Sequence, residues 1–394
     1  MGRIRSAYIH VPFCQHRCGY CNFSLVADRD ELVPRFLDSL EIELASVLGS
    51  PQPVDTLYFG GGTPSHLEPA ELDRLLRLTS EWLPLSPGGE WTCELNPSDA
   101  VDQKLQLLQQ WGVNRVSLGG QSFSDSKLKV LERDHSSEQL HRSLDSCADY
   151  FENISLDMIF AAPGESLQQW EADIDEALGC NMLRHLSTYG LTVEKGSAFF
   201  GRVQRGQIRE LDENLQADMY EILIDRLTAA GWEHYEISSF TQGNRSRHNE
   251  AYWSGEPWWA FGPGAASFLP ATNQHTTEPH SDGRAASVFV RQVNHQSTTT
   301  YIRRLQQRRS PIAERLEIDL EQQLRERFVF GMRRLQGVDL NELSQHWPTD
   351  FRSMLEPKLT EYLDRGWFEF SSHGTIRLTR KGLMISDGLW PAFL

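Results

Sequence analysis

Three of the six cysteines in this 394-residue chain fall close together, as Cys14, Cys18 and Cys21 in the stretch YIHVPFCQHRCGYCNF; the others, Cys93, Cys147 and Cys180, are scattered. A loop with this spacing wraps three thiolates around one inorganic centre, and Gly19 supplies backbone freedom within it. A structural zinc ion needs four protein ligands, but Asn22 and Phe23 follow the third cysteine, so His10 or His16 would have to complete a Cys₃His site. Three thiolates can instead hold three irons of a four-iron cluster and leave the fourth iron open to a chelating small molecule. Crowded thiols with no ligand are the remaining alternative.

The elements that position such a loop are readable from periodicity. Short β-prone runs (AYIHV, DTLYFGG, WTCEL, RVSLGGQSF, ISLDMIF, HLSTYGLTV) alternate with helical patterns such as VPRFLDSLEIELASVL and ELDRLLRLTSEWL. Six β-then-α units predict an α/β fold with a parallel sheet closed into a partial (β/α)₆-type barrel over residues 1–240. HYEISSF at 234–240 reads as a short strand extending it. Residues 241–310 read as a barrel-closing segment, in which the polar tract 271–287 is expected to be a mobile loop. From 311 the pattern turns helical and ends in the hairpin FEFSSHGTIRLT with an HG turn, which predicts a small helical, winged-helix-like C-terminal domain over 311–394.

The unusual residues cluster at the C-terminal ends of the expected strands, the face where such barrels keep their sites. YFGGGTP ends one strand in three glycines, which lets a ligand approach the backbone. The following strands end in CELNP, GGQSF and LDMIFAAPGES, so Glu94, Gln121 and Asp157 bring polar groups to one rim. A buried carboxylate there needs a partner, which a ligand's ammonium or hydroxyl groups would supply. Taken singly, each could be a helix cap or a core hydrogen bond.

CxxxCxxC with an aromatic, Tyr20, before the last cysteine resembles the radical S-adenosylmethionine (SAM) superfamily. With GGGTP, ELNP, GGQSF, LERDH, LDMIFAAPG and YGLTVEKGSAF, the chain resembles the HemN/HemW group of that superfamily. The resemblance implies a radical SAM barrel with a 4Fe-4S cluster on Cys14, Cys18 and Cys21. It further implies SAM beside Tyr8, Tyr20, Gly61, Gly62, Thr63, Glu94, Gln121, Arg133, Asp157, Gly190 and Ala266.

Within the group, the oxygen-independent coproporphyrinogen dehydrogenases carry a fourth cysteine where this chain has Phe23, and an N-terminal extension where only seven residues precede Tyr8. RHNEAYW at 247–253 instead fits the HNxxYW motif of the heme-chaperone branch, and AFGPGAASF is similar to the same branch. This resemblance implies heme as a ligand and delivery to an acceptor protein, by analogy a membrane-associated respiratory component; it leaves a homodimer and SAM cleavage open. His248, among Tyr252, Trp253, Trp258 and Trp259, is the candidate axial ligand, set against a reading in which it and Asn249 only satisfy loop backbone groups. The alternative function is a catalytic radical SAM oxidoreductase acting on a porphyrinogen.

Composition restricts the partners. A formal net charge of −16 argues against a phosphate-backbone binder, and the basic run YIRRLQQRRS reads as the polar face of a helix. The same acidity disfavours a DNA-binding role for the winged-helix-like module. The N-terminus lacks an apolar run of signal length, so the expectation is a cytoplasmic protein, with a peripheral membrane association left open. No run of 18 apolar residues occurs.

Overall fold

A computed structural model describes residues 3–271, 287–345, 351–372 and 374–394. Six parallel strands carry the first half: β1 (Ser6–Val11), β2 (Val54–Gly61), β3 (Leu85–Leu95), β4 (Arg115–Gln121), β5 (Asn153–Phe160) and β6 (Leu183–Gly190), adjacent in chain order. Between and after them run α1 (Val33–Leu48), α2 (Pro69–Trp82), α3 (Asp102–Trp111), α4 (Asp125–Val130), α5 (Ser137–Ala148), α6 (Leu167–Gly179), α7 (Ala198–Gln204) and α8 (Glu213–Ala229). In α1 the residues Phe36, Leu37, Leu40 and Leu44 recur at helical spacing and are all buried, and Gly49 at φ 67° ends the helix. Helices α5 and α6 open with reciprocal caps between Ser136 and Gln139, and between Ser166 and Gln169.

Alternation along the strands sorts two environments. Ile9, Leu57, Phe59, Cys93, Val116, Leu118, Leu156 and Leu186 are fully or almost fully buried in the layer under the helices. The intervening positions are polar and meet across neighbouring strands inside the barrel: Tyr58 with Glu94, Ser117 with Asp157, Ser155 with His185. The apolar core is therefore the shell outside the sheet, and the interior is kept for hydrogen-bonding groups.

HYEISSF does not continue as one strand. It doubles back as β7 (Glu233–Glu236) and β8 (Ser239–Thr241), antiparallel at the sheet edge beyond β6. Helix α9 (Arg247–Trp253) follows, and then β9 (Trp258–Phe261) returns parallel to β1, with Ala260 opposite Tyr8. Next come β10 (Ala266–Pro270), β11 (Ser287–Asn294), α10 (Thr298–Gln306) and β12 (Ile312–Asp319), whose strands add antiparallel neighbours. Among the described residues the sheet thus has twelve strands. It runs past the boundary expected at 311, because Ile312–Asp319 pairs with β11 before the helices begin. The basic run at 301–310 lies on α10 and its turn, where Tyr301, Ile302 and Leu305 are buried. Most of the polar tract 271–287 lies outside the described residues.

The C-terminal domain comprises α11 (Leu320–Gly331), α12 (Leu340–Ser344), α13 (Arg352–Leu355), α14 (Lys358–Asp364) and the hairpin β13 (Phe368–Phe370) with β14 (Ile376–Leu378). His373 of the expected HG turn is outside the described residues. The domain's own core joins Leu324, Phe328, Phe351, Leu359, Phe368 and Phe393. It is tied to the barrel by Arg291 with Glu326 at 2.7 Å and by Arg333 over the ring of Trp253 at 4.5 Å. No helix among the described residues is long and apolar enough to cross a membrane.

Candidate functional site

The loop bearing the three cysteines leaves β1 and is stitched to its neighbours by backbone bonds. Gly62 N donates to Val11 O at 2.8 Å, Thr63 N to Phe13 O at 2.7 Å, and Phe199 N to Gly19 O at 2.8 Å. The glycines are needed for this approach: a Cβ on Gly62 would lie 2.6 Å from Phe13 O, and one on Gly61, at φ 106°, would meet the His10 ring at 2.4 Å. His10 itself spans Tyr8 OH at 3.1 Å and Ser24 O at 2.7 Å, so both ring nitrogens are engaged. That removes it as a fourth ligand for zinc.

Cys14, Cys18 and Cys21 line one end of a cavity of about 360 Å³ at the C-terminal ends of the strands. Burial pushes the Cys14 thiol up to about 12, so it is held neutral until a metal displaces the proton; Thr63 Oγ1 stands 3.2 Å from its sulfur. Arg133 Nη1 donates to Cys18 Sγ at 3.5 Å, while Nη2 donates to Gly119 O at 2.7 Å and Asn96 Oδ1 at 3.2 Å. Among the described residues no three His, Cys, Asp or Glu side chains converge as a single ion requires. Thiols spread around one cavity wall beside a guanidinium fit a cluster of several irons, each thiolate attached to a different iron.

The opposite wall is acidic. Glu94 accepts from Tyr58 OH at 2.8 Å and from Gly61 N at 3.2 Å, and Asp157 accepts from Ser117 Oγ at 3.1 Å. Burial, with each other's charge adding for Glu94, pushes Glu94 up to about 7; burial pushes Asp157 up to about 6. Two carboxylates so desolvated favour a ligand that brings positive charge, as the ammonium and sulfonium of SAM do.

Of the residues expected at this site, Cys14, Cys18, Tyr20, Cys21, Gly61, Gly62, Thr63, Glu94, Gln121, Arg133, Asp157 and Gly190 all line the cavity. Tyr8 lies deeper, its ring 6.1 Å from that of Tyr58, and Ala266 lies on β10, where its carbonyl accepts from Trp258 Nε1. His248, expected as a heme ligand, does not line this cavity. It stands at the other end of the barrel, with Nδ1 2.9 Å from Thr56 Oγ1 and Nε2 2.9 Å from Tyr252 OH, and is 2% exposed. Glu90 accepts from the amides of Arg247 and His248 at 3.2 and 3.1 Å. The HNxxYW segment is thus the plug of the barrel floor, and its imidazole has no nitrogen free for iron. The aromatic neighbours pack on one another, Tyr252 against Trp258 at 4.5 Å and Trp258 against Phe268 at 5.2 Å.

Sequence reasoning missed Tyr58, Asn96, Ser117 and Tyr189. The signal was the period of two: Tyr58 and Ser117 are in register with Tyr8 and Glu94 on the inward face, and Tyr189 follows by two Ser187, the register partner of Asp157. Asn96 sits just past β3 and was visible only through its bond to Arg133.

Comparison with known proteins follows this geometry. Residues 8–177 match the model of the radical SAM superfamily, and residues 318–385 match the HemN C-terminal domain. The chain is 32% identical to the heme chaperone HemW of Bacillus subtilis over 99% of both chains. It is 37% identical to the heme chaperone HemW of Mycobacterium tuberculosis over 69% of this chain and 71% of that one. The solved structure of coproporphyrinogen III oxidase (HemN) from Escherichia coli superposes with a TM-score of 0.82 at 18% identity, covering 99% of this chain and 90% of that one, and so shares the fold. The thiols, the glycine turn and the acidic wall therefore stand in a chain that belongs to the radical SAM superfamily, in its HemN/HemW group.

Proposed function

We propose that this protein is a heme chaperone, one that binds heme together with a SAM-ligated 4Fe-4S cluster and passes the heme to an acceptor protein. The observation that carries the reading is the end-to-end match to chains named as heme chaperones, 32% identity over 99% of both sequences. Phe23 supports it, because an apolar ring stands where the porphyrinogen dehydrogenases have a further cysteine.

In this reading Cys14, Cys18 and Cys21 hold the cluster and Arg133 offsets thiolate charge beside it. Glu94 and Asp157 hold the cationic ligand, while the glycines at 61 and 62 keep the backbone close. The cluster and SAM then order the loop and the barrel mouth. A cytoplasmic location and a membrane-associated respiratory acceptor remain part of the proposal, resting on the family likeness alone.

The test is a heme titration of the anaerobically reconstituted full chain. Saturable binding with a defined Soret band is expected, and absence of saturable binding would overturn the chaperone reading.

A further inference from the structure

A heme chaperone needs a seat for a flat, iron-centred macrocycle, and His248 cannot ligate iron without unmaking the barrel floor. We infer that heme lies across the mouth of the cluster cavity, with His16 as its axial ligand, Phe23 and Tyr189 as its apolar seat, and Arg17 as counter-charge for a carboxylate of the macrocycle. This rests on the heme-chaperone reading and adds the place and the ligand.

The histidines of the chain differ in what their ring nitrogens do. Those of His10, His185 and His248 are both hydrogen-bonded; His66 and His141 pair with carboxylates; His135 and His234 bond backbone carbonyls. Among the described residues only His16 and His295 have an imidazole with neither a hydrogen-bond nor an ion-pair partner, backbone or side chain. His295 is half-buried and is not among the residues lining the cluster cavity. His16 is exposed and lines the cluster cavity. An imidazole with a free ring nitrogen can ligate iron, and an exposed one needs no rearrangement of a core to bind.

The surface beside it is apolar where solvent would favour polar groups. Phe23 is 66% exposed and Tyr189 47% exposed, and both line the cavity, as do Leu25, Ile159 and Leu191. Aromatic rings left in water at the rim of a cavity mark a contact surface for a flat apolar partner. Phe23 and Leu25 also line a second cavity of about 400 Å³, which Arg17 lines with them. Arg17 donates only to two carbonyls, Phe23 O at 3.2 Å and Leu25 O at 2.7 Å, and pairs with no carboxylate among the described residues. A guanidinium with no carboxylate partner, an exposed phenyl ring shared by both cavities and a free imidazole are the set of functions that a porphyrin with ionised side chains calls for: a ligand for the metal, an apolar surface for the plane and a cation for the anion at the edge.

The test is anaerobic heme titration of the reconstituted full chain as wild type, His16→Ala, His16→Met, Phe23→Ser and Arg17→Gln, with iron and sulfide per chain measured in each. The wild type is expected to saturate with an imidazole-ligated spectrum. His16→Ala is expected to lose that spectrum and weaken binding by about tenfold or more. His16→Met should bind with a displaced Soret band, and Phe23→Ser and Arg17→Gln should weaken binding without displacing it. If the wild type binds no heme, the chaperone reading itself falls. If it binds and both His16 variants keep its affinity and Soret position, the His16 assignment falls while the chaperone reading stands. Where His16→Ala also loses iron and sulfide, the band position in His16→Met decides: a wild-type position overturns the assignment.

Discussion

The ring of Tyr58 stacks on that of His248 with centroids 5.1 Å apart and an interplanar angle of 28°. The hydroxyl of the same tyrosine donates to Glu94 in the cavity. One side chain therefore joins the floor plug to the acidic wall, and a change at the floor is felt where the ligand binds.

His248 should govern stability, with a pH signature. Burial lowers it from 6.5 to about 3, so the folded protein refuses a proton that the unfolded chain accepts below pH 6.5. Its contribution is therefore fully present above pH 6.5 and is lost as pH falls towards 3, at up to about 1.4 kcal/mol per pH unit. His248→Phe removes this dependence and leaves Thr56 and Tyr252 without a partner, at about 1–3 kcal/mol for each stranded group. Urea unfolding at pH 7.5, 6.5 and 5.5 should show the gap between wild type and variant narrowing as pH falls. A gap constant with pH would contradict the buried neutral imidazole.

Glu94 should set affinity for SAM. Glu94→Gln keeps the shape and the Tyr58 contact but removes the charge, and the expected loss is about tenfold or more by calorimetry on the reconstituted protein. Tyr58→Phe should act in the same direction and more weakly, because loss of its hydrogen bond raises Glu94 further. Equal affinity in wild type and Glu94→Gln would remove the carboxylate from the ligand's charge pairing.

Arg133 should support cluster loading. Arg133→Lys keeps the charge but loses the fork that reaches Gly119 O, Asn96 and Cys18 at once, and Arg133→Met loses both. Iron and sulfide per chain after reconstitution should fall in the order wild type, Lys, Met. A methionine variant that loads as well as wild type would contradict this role.

Lys127 is buried between Glu165 at 2.5 Å and Asp173 at 3.0 Å, and Asp173 also accepts from Ser122 Oγ and Phe123 N just beyond β4. Lys127→Met strands two buried carboxylates and should cost about 3–5 kcal/mol in chemical unfolding. Adding Glu165→Gln and Asp173→Asn should return part of it. A single variant within about 0.5 kcal/mol of wild type would show that the triad adds little.

The barrel was legible because its strands are short β-prone runs with glycine or polar punctuation, and the cavity because Cys14, Gly61, Glu94, Gln121 and Asp157 each follow or end such a run. Arg133 was reachable only by family likeness: its local sequence is polar, and its contacts with Asn96 just past β3, Gly119 on β4 and Cys18 are recorded by no periodicity. The strands at 258–319 were missed because Trp258 and Trp259 looked like a ligand's surroundings, whereas the pairing partner of that run, β1, is about 250 residues earlier. His248 misled for a related reason. A histidine among aromatics reads alike whether it faces a ligand or a hydrogen-bonded floor, and only the positions of Thr56 and Tyr252 decide between them.

The measurement that bears most directly on the central claim runs two incubations on one reconstituted preparation. One receives heme, and the other receives coproporphyrinogen with SAM and a reductant. The chaperone account predicts saturable heme binding and no 5′-deoxyadenosine beyond the substrate-free control. Substrate-dependent 5′-deoxyadenosine accompanied by vinyl-group formation, without saturable heme binding, would contradict it and place the chain among the oxidoreductases.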